Sequence, residues 1–328
     1  MKPFFYILLI FQFAQAQVQK HRAVTLMGSR FDITIVGKDE KDAEQHIDEA
    51  IVEIERIENL ISEWRPQTQI SEVNRNAGLR PVKVAKEVLR LTQSAIQFSE
   101  MTKGAFDISI IAMDKIWKFD GSMTTMPSED AIKKSIEKVG YTNIVLDTLA
   151  STIFLKKEGM KIGFGSIGKG YAADSARALL EAKGVAGGII NASGDLTTWG
   201  KQANGKPWSI GITNPFQNDD FLAIVSMYRY AVTTSGSYEK FAEINGKRYA
   251  HIINPKTGYP STGICSATVF GPSAEIANGL STSIMVLGVE NGLVLLAKHP
   301  EYSGVLVTDA GKIVYSDNFS KRKIKSFK

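Results

Sequence analysis

Hydrophobic periodicity along this 328-residue chain switches repeatedly between two and 3.6 residues, with no regular strand–helix alternation. Phe31-Asp32-Ile33-Thr34-Ile35-Val36 alternates at period two and predicts a strand. Ile47, Ala50, Ile51, Ile54, Ile57 and Ile61 then recur at helical spacing, and Trp64-Arg65-Pro66 should stop that helix. A second helix is expected around Val88, Leu91, Ala95 and Phe98, with Gly104 as terminator. A third should begin after Pro127 with Ser128 as N-cap and stop near Gly140. Short strands are expected at 143–146 and 152–155, and a helix from Lys169 to Lys183 ended by Gly184. From Gly187 to Ser226 strands alternate with Gly/Asn turns, and Asp309-Ala310-Gly311 reads as a hairpin turn between Val305–Thr308 and Ile313–Tyr315. There is no internal repeat, low-complexity tract or Pro/Ser linker. The pattern predicts one α+β body of mixed sheets with packed helices, or two lobes around a cleft.

The first sixteen residues stand apart. Lys2 supplies a positive start, Pro3 to Phe13 an apolar run, and Ala14-Gln15-Ala16 a small-x-small cleavage site. The segment reads as a signal peptide of residues 1–16 preceding a body of 17–328. An uncleaved anchor is the alternative, although the apolar run is short of the about 20 residues that a bilayer span needs. No other segment reads as long and apolar enough to span. The one cysteine, Cys265, permits no disulfide within the chain and is not placed for lipidation; it reads as a buried structural thiol. Export without disulfides fits a bacterial periplasm. The net charge of +5 is matched by five basic residues within the tail 320–328, so the body is near neutral. No distributed basic stripe suggests nucleic-acid binding. The tail is expected to be a solvated end, with peripheral contact to anionic lipid as the alternative.

Several segments are built for chemistry. Gly163-Phe164-Gly165-Ser166-Ile167-Gly168-Lys169 approaches a helix through small residues. Such a start exposes backbone N–H groups and the positive end of the dipole, which suits a phosphate. Lys169 opposes that dipole, so a bound anion explains it best. Asn191-Ala192-Ser193-Gly194-Asp195 ends an apolar strand and could line a site or form a plain turn. Asn278 and Thr282 are four apart and share a helix face with Ser281 beside them; such oxygens at a helix start are caps or ligands of a hard cation. Spacing alone favours capping. His251 is one of only four histidines and sits among small polar groups, between Ser235-Gly236-Ser237-Tyr238 and Pro255-Lys256-Thr257-Gly258.

Together these segments resemble the FAD:protein FMN transferases of the ApbE family. Met27-Gly28-Ser29-Arg30-Phe31 is similar to that family's Met-Gly-Thr-x-Phe. Ser62-Glu63-Trp64, Ser71-Glu72-Val73-Asn74 and Gly104-Ala105-Phe106-Asp107 follow. Lys169-Gly170-Tyr171-Ala172, Gly194-Asp195, Thr234-Ser235-Gly236, the block 251–258 and Leu280-Ser281-Thr282 with Met285-Val286-Leu287-Gly288 complete the series in order. The resemblance covers nearly all of the mature chain. It implies a central FAD cleft, FAD as donor substrate, Mg²⁺ as cofactor, a Thr or Ser of a partner flavoprotein subunit as acceptor, and AMP as product. Carried over by position, Met27, Trp64, Ala105, Phe106, Asp107, Gly163, Lys169 and Ile252 should contact FAD, with Trp64 and Phe106 packing on rings. Ser166, Asn278, Ser281 and Thr282 fall on metal-site positions. His251 is the candidate for taking the acceptor's proton. The family usually carries Asp where this chain has Gly163, Asn254 and Asn278, so three carboxylates are absent from the expected site. The competing expectations are an FAD pyrophosphatase and a flavin-binding protein without turnover.

Overall fold

The computed structural model describes residues 17–237, 240–319 and 324–326. The expected signal peptide and most of the basic tail lie outside the described residues. In chain order the elements are β1 (Val18–Leu26), β2 (Ser29–Gly37), α1 (Glu40–Ile61), α2 (Gln69–Arg75), β3 (Val82–Lys83), α3 (Lys86–Met101), α4 (Glu129–Ser135), β4 (Ile144–Asp147), β5 (Thr152–Leu155), α5 (Gly168–Ala182), β6 (Gly187–Ala192), β7 (Asp195–Gly200), β8 (Trp208–Asn214), β9 (Gln217–Met227), β10 (Ala231–Gly236), β11 (Phe241–Ile244), β12 (Lys247–Ala250), β13 (Ile264–Gly271), α6 (Ala274–Ala297), β14 (Ser303–Thr308), β15 (Ile313–Tyr315) and β16 (Ile324–Ser326).

The centre is an eight-stranded sheet in the order β1-β2-β6-β7-β10-β13-β14-β15. Every neighbouring pair in it is antiparallel. Side chains alternate faces along each strand, so each strand feeds two cores. On one face Ile33, Ile35, Ala267, Val269 and Leu306 pack against the apolar stripes of α1, α5 and α6. On the other, Leu196, Val232, Phe270 and Val305 meet Ile212, Val225 and Met227 of a small sheet ordered β16-β9-β8. β13, clamped between the two layers, is buried at every residue. Two smaller sheets, β3-β5-β4 and β11-β12, flank this body. Mixed sheets with packed helices make the α+β class.

Local chemistry explains most element ends. Asp39 caps α1 by accepting the Asp42 N–H at 2.8 Å, and Ser128 caps α4 by accepting that of Ala131. After α3 the Gly104 N–H reaches back to the Ser99 carbonyl at 2.7 Å with φ +81, a left-handed stop that glycine adopts without penalty. Two expectations are corrected. α1 ends at Ile61, ahead of Pro66, where Ser62 turns extended and Thr68 begins to cap α2. α4 closes at Ser135, well short of Gly140.

A third correction concerns α6, which spans 24 residues, contains an 18-residue stretch of mean hydropathy 1.6, and is long and apolar enough to cross a membrane by length and composition. This differs from the expectation that no segment beyond the first sixteen residues is long and apolar enough to span. Within the fold α6 is a core helix against β10, β13 and α5, interrupted at Gly288 with φ 79.

Candidate functional site

A cleft of about 670 Å³ opens where α5, α6 and the ends of β7 and β10 converge, a size suited to a large organic ligand. Its base is set by the docking of two helix starts. A Cβ on Gly170 would lie 2.6 Å from the Ala274 carbonyl oxygen, so only glycine lets α5 approach α6 this closely. One turn on, Asp174 Oδ2 accepts from Ser273 Oγ at 2.7 Å and from the Ala274 and Glu275 amides at 2.6 and 3.1 Å. Asp174 thereby neutralises the start of α6 from a neighbouring helix. This lock fixes Lys169 of α5 relative to Asn278 and Thr282 of α6.

The start of α5 is different: its N-cap position, Ile167, provides no side-chain acceptor. Lys169, in the first turn, reaches into the cleft with Nζ 3.6 Å from Asp195 Oδ2. Asp195 is presented by the β6–β7 hairpin. Ser193 and Gly194 both hold positive φ, 57 and 96, and the Asn191 side chain accepts the Gly194 N–H at 2.9 Å. That two-residue turn pairs Ala192 with Asp195 and aims the carboxylate inward. Asp195 is only 4 % exposed, and burial pushes its carboxyl up to about 6, against the pull of Lys169 and of the Asn278 amide. Its Oδ2 has no hydrogen-bond partner among the described residues.

On α6, Thr282 Oγ1 lies 3.4 Å from Asn278 Oδ1, and both side chains line the cleft, as does Ser166. Ser281 does not: it is fully buried, tied to Ser235 of β10 at 2.8 Å and to the Asn278 carbonyl. The capping alternative for these residues is excluded, because Ser273 caps α6 and Asn278 lies more than a turn inside it.

Lys169, Asp195, Asn278 and Thr282 thus share the base, and the other expected residues take varied positions. Ala105, Phe106, Asp107, Gly163 and Ile252 line the cleft. The Phe106 ring is 2 % exposed and packs on Phe98 at 5.5 Å, so its plane belongs to the core. Asp107 spends its carboxylate internally: Oδ1 accepts from the Ser109 amide and hydroxyl at 2.8 and 2.6 Å, and Oδ2 from the Tyr141 amide at 2.7 Å. Trp64 stands at the rim, 78 % exposed, with Lys115 Nζ 5.7 Å from the centre of its ring. Met27 forms the tip of the β1–β2 hairpin beside the start of α5; its neighbour Ser29, rather than Met27, lines the cleft. His251 lines the cleft, with Nδ1 3.3 Å from the Lys240 carbonyl. Tyr238, expected nearby, lies outside the described residues.

The three missing carboxylates are not equivalent. Asn254 lies in the turn after His251, where its Oδ1 accepts the Lys256 N–H at 3.0 Å; it does not line the cleft. The expectation that it strips charge from the site is corrected. Asn278 does face the base. At Gly163 a Cβ would meet the Glu63 carboxyl carbon and Oε1 at 3.0 Å, so another carboxylate already occupies that space. Cys265 is buried at the start of β13, its thiol pushed up by desolvation, which suits a structural role. Asp174, Asp195 as a buried charge, and Glu63 were missed or left without a role. Asp195 stood in a Gly-Asp pair ending an apolar strand and Glu63 in the Ser62-Glu63-Trp64 segment, but neither segment marked its carboxylate as a buried site group.

A capless helix start with an inward lysine, a buried carboxylate and neutral oxygens around one cleft define an enzyme-like site for a phosphate-bearing ligand. The chain belongs to the ApbE family, whose profile matches residues 27–306. It is 30% identical over 302 residues to a protein of Klebsiella pneumoniae (strain 342) named FAD:protein FMN transferase, covering 92% of each chain. A second protein of that name from the same organism is 29% identical over 295 residues, covering 88% of this chain and 81% of the relative. Among solved structures, the ApbE protein of Thermotoga maritima superposes with a TM-score of 0.83 at 28% identity, covering 93% of this chain and 99% of that one. The Pseudomonas stutzeri flavinyl transferase ApbE superposes at 0.81 with 26% identity, covering 93% and 97%.

Proposed function

We propose that this chain is a FAD:protein FMN transferase that moves FMN from FAD to a Thr or Ser hydroxyl of a partner flavoprotein and releases AMP. The observation that carries this reading is Lys169 at the capless start of α5, paired with buried Asp195 at the base of a cleft sized for a dinucleotide. Lys169 and the free amides of that helix start would hold the pyrophosphate and offset the charge that builds in transfer. The acceptor oxygen attacks the phosphorus on the flavin side, the bond to the AMP oxygen breaks, and AMP leaves. His251, on the cleft wall, would take the hydroxyl proton. Transfer of this kind depends on positioning and charge stabilisation.

The residues at the base fit a hard divalent cation. Ser166, Asn278 and Thr282 offer neutral oxygens, and Asp195 Oδ2, ion-paired with Lys169 but without a hydrogen bond among the described residues, offers a negative one. These four would hold Mg²⁺, which supplies Lewis-acid charge to a phosphoryl oxygen when bound. We also propose that the chain is exported to a periplasm through its first sixteen residues, and that its acceptor is an electron-transfer flavoprotein subunit. Chromatographic assay of AMP from FAD, with and without a flavin-accepting domain and with Mg²⁺ or EDTA, tests the reading. AMP that requires both acceptor and Mg²⁺ is expected. Release without acceptor would instead make this an FAD pyrophosphatase, and tight FAD binding without release a flavin-binding protein.

A further inference from the structure

Glu63 is the carboxylate in this cleft that nothing above uses. It follows α1 in the turn toward α2, lines the cleft, and forms no ion pair among the described residues. Among the described residues the only hydrogen bond its carboxylate makes is with its own backbone amide, and desolvation holds the group above the ordinary carboxylate range. Asp107, the other carboxylate on that wall, is saturated by three internal donors. The backbone has made room for Glu63: a side chain at 163 would start 3.0 Å from its carboxyl carbon and 2.9 Å from Ile111 Cδ1. A part-buried carboxylate without a partner, facing a ligand cavity, costs free energy unless a ligand donor completes it. The same charge repels phosphate, so it marks the end of the cleft where the pyrophosphate does not lie.

Resting on the reading of FAD as substrate, we propose that Glu63 is a specificity-determining residue that accepts a hydrogen bond from a neutral N–H or O–H donor of FAD and so sets which way the dinucleotide lies. Two parts of FAD carry such donors: the flavin half, with its ring imide and ribityl hydroxyls, and the adenosine half, with its amino group and ribose. The chemistry at Glu63 is the same for both.

The test is the Kd of FAD, FMN and ADP for the wild-type protein and for Glu63→Gln and Glu63→Ala, by calorimetry, with melting temperatures of all three. Glu63→Ala removes the acceptor and should weaken FAD by roughly ten- to a hundredfold, whereas Glu63→Gln keeps a neutral acceptor oxygen and should lose a smaller part of that affinity. A parallel loss for FMN but not ADP places the donor on the flavin half; a loss for ADP but not FMN places it on the adenosine half. Unchanged FAD affinity in both variants overturns the proposal. An equal loss for all three ligands also overturns it, because that marks a general structural role. Absence of FAD binding by the wild type would overturn the substrate reading itself, a result distinct from either.

Discussion

The two ends of the cleft are built on different principles. At the base, Lys169, Asn278 and Thr282 stand on two long helices clamped together by Gly170 and Asp174, and a tight hairpin brings Asp195 to them. Nearly every position there is set by backbone contact over a long sequence separation. The wall bearing Glu63 and Trp64 is the turn between α1 and α2, with Trp64 standing out into solvent. Charge-bearing chemistry sits on rigid elements; the recognition edge sits on a connection that can vary. The chain's departures follow this division. At the rigid base Asn278 stands where the resemblance implies a carboxylate, whereas at the looped wall the space beside Gly163 is taken by Glu63 from another segment.

This contrast can be broken by substitution. Lys169→Met should have the largest effect, lowering AMP release by about 10²–10³-fold while FAD remains bound, since a charge aimed at a developing anion is lost; a rise in KM with kcat unchanged would move Lys169 to ground-state binding. Gly170→Val forces α5 off the Ala274 carbonyl and should destabilise the fold by about 1–3 kcal/mol in chemical denaturation. Unchanged stability there would mean the base is less rigid than its contacts imply. Asn278→Asp restores a negative oxygen at the base and should tighten Mg²⁺ roughly tenfold by calorimetry; an unaltered Kd would remove Asn278 from the cation's neighbours.

The looped wall should respond more gently. Burial raises Glu63's carboxyl, so protonation, which removes the charge and weakens the acceptor, sets in above the usual carboxylate range. FAD affinity should therefore be full at higher pH and fall as pH drops through that raised value. Glu63→Gln should lack this component of the profile, and identical profiles would exclude Glu63 as its source. Gly163→Ala meets only the far ends of the Glu63 and Ile111 side chains and should weaken FAD about threefold, with a stability change under about 1 kcal/mol.

Local rules made much of the fold legible. The Ser128 cap, the Gly104 and Gly184 stops and the Asp309-Ala310-Gly311 hairpin depend on residues a few positions apart, where propensity and hydrogen bonding decide. The α1 stripe from Ile47 to Ile61 was equally plain, though its end was not, because Ser62 rather than Pro66 turns the chain. The strand order was not legible: β2 pairs with β6, on the far side of five α-helices and three strands. All but Met27 and Ser281 of the residues carried over from the family resemblance line the cleft, Lys169 and Asn278 among them, but the resemblance did not say what each does there. Asp107 carries a motif yet spends its carboxylate on Ser109 and Tyr141. Glu63 and Gly163 carry no joint signal, and only folding makes them neighbours.

The central claim is that one buried carboxylate with Lys169 and neutral oxygens suffices for transfer. Intact mass spectrometry of a flavin-accepting domain, after incubation with residues 17–328, FAD and Mg²⁺, tests it most directly. The account predicts a mass gain of one FMN on the acceptor, lost when its target Thr or Ser is replaced by Ala. An unmodified acceptor, with FAD bound and intact and a second acceptor domain also unmodified, would contradict it.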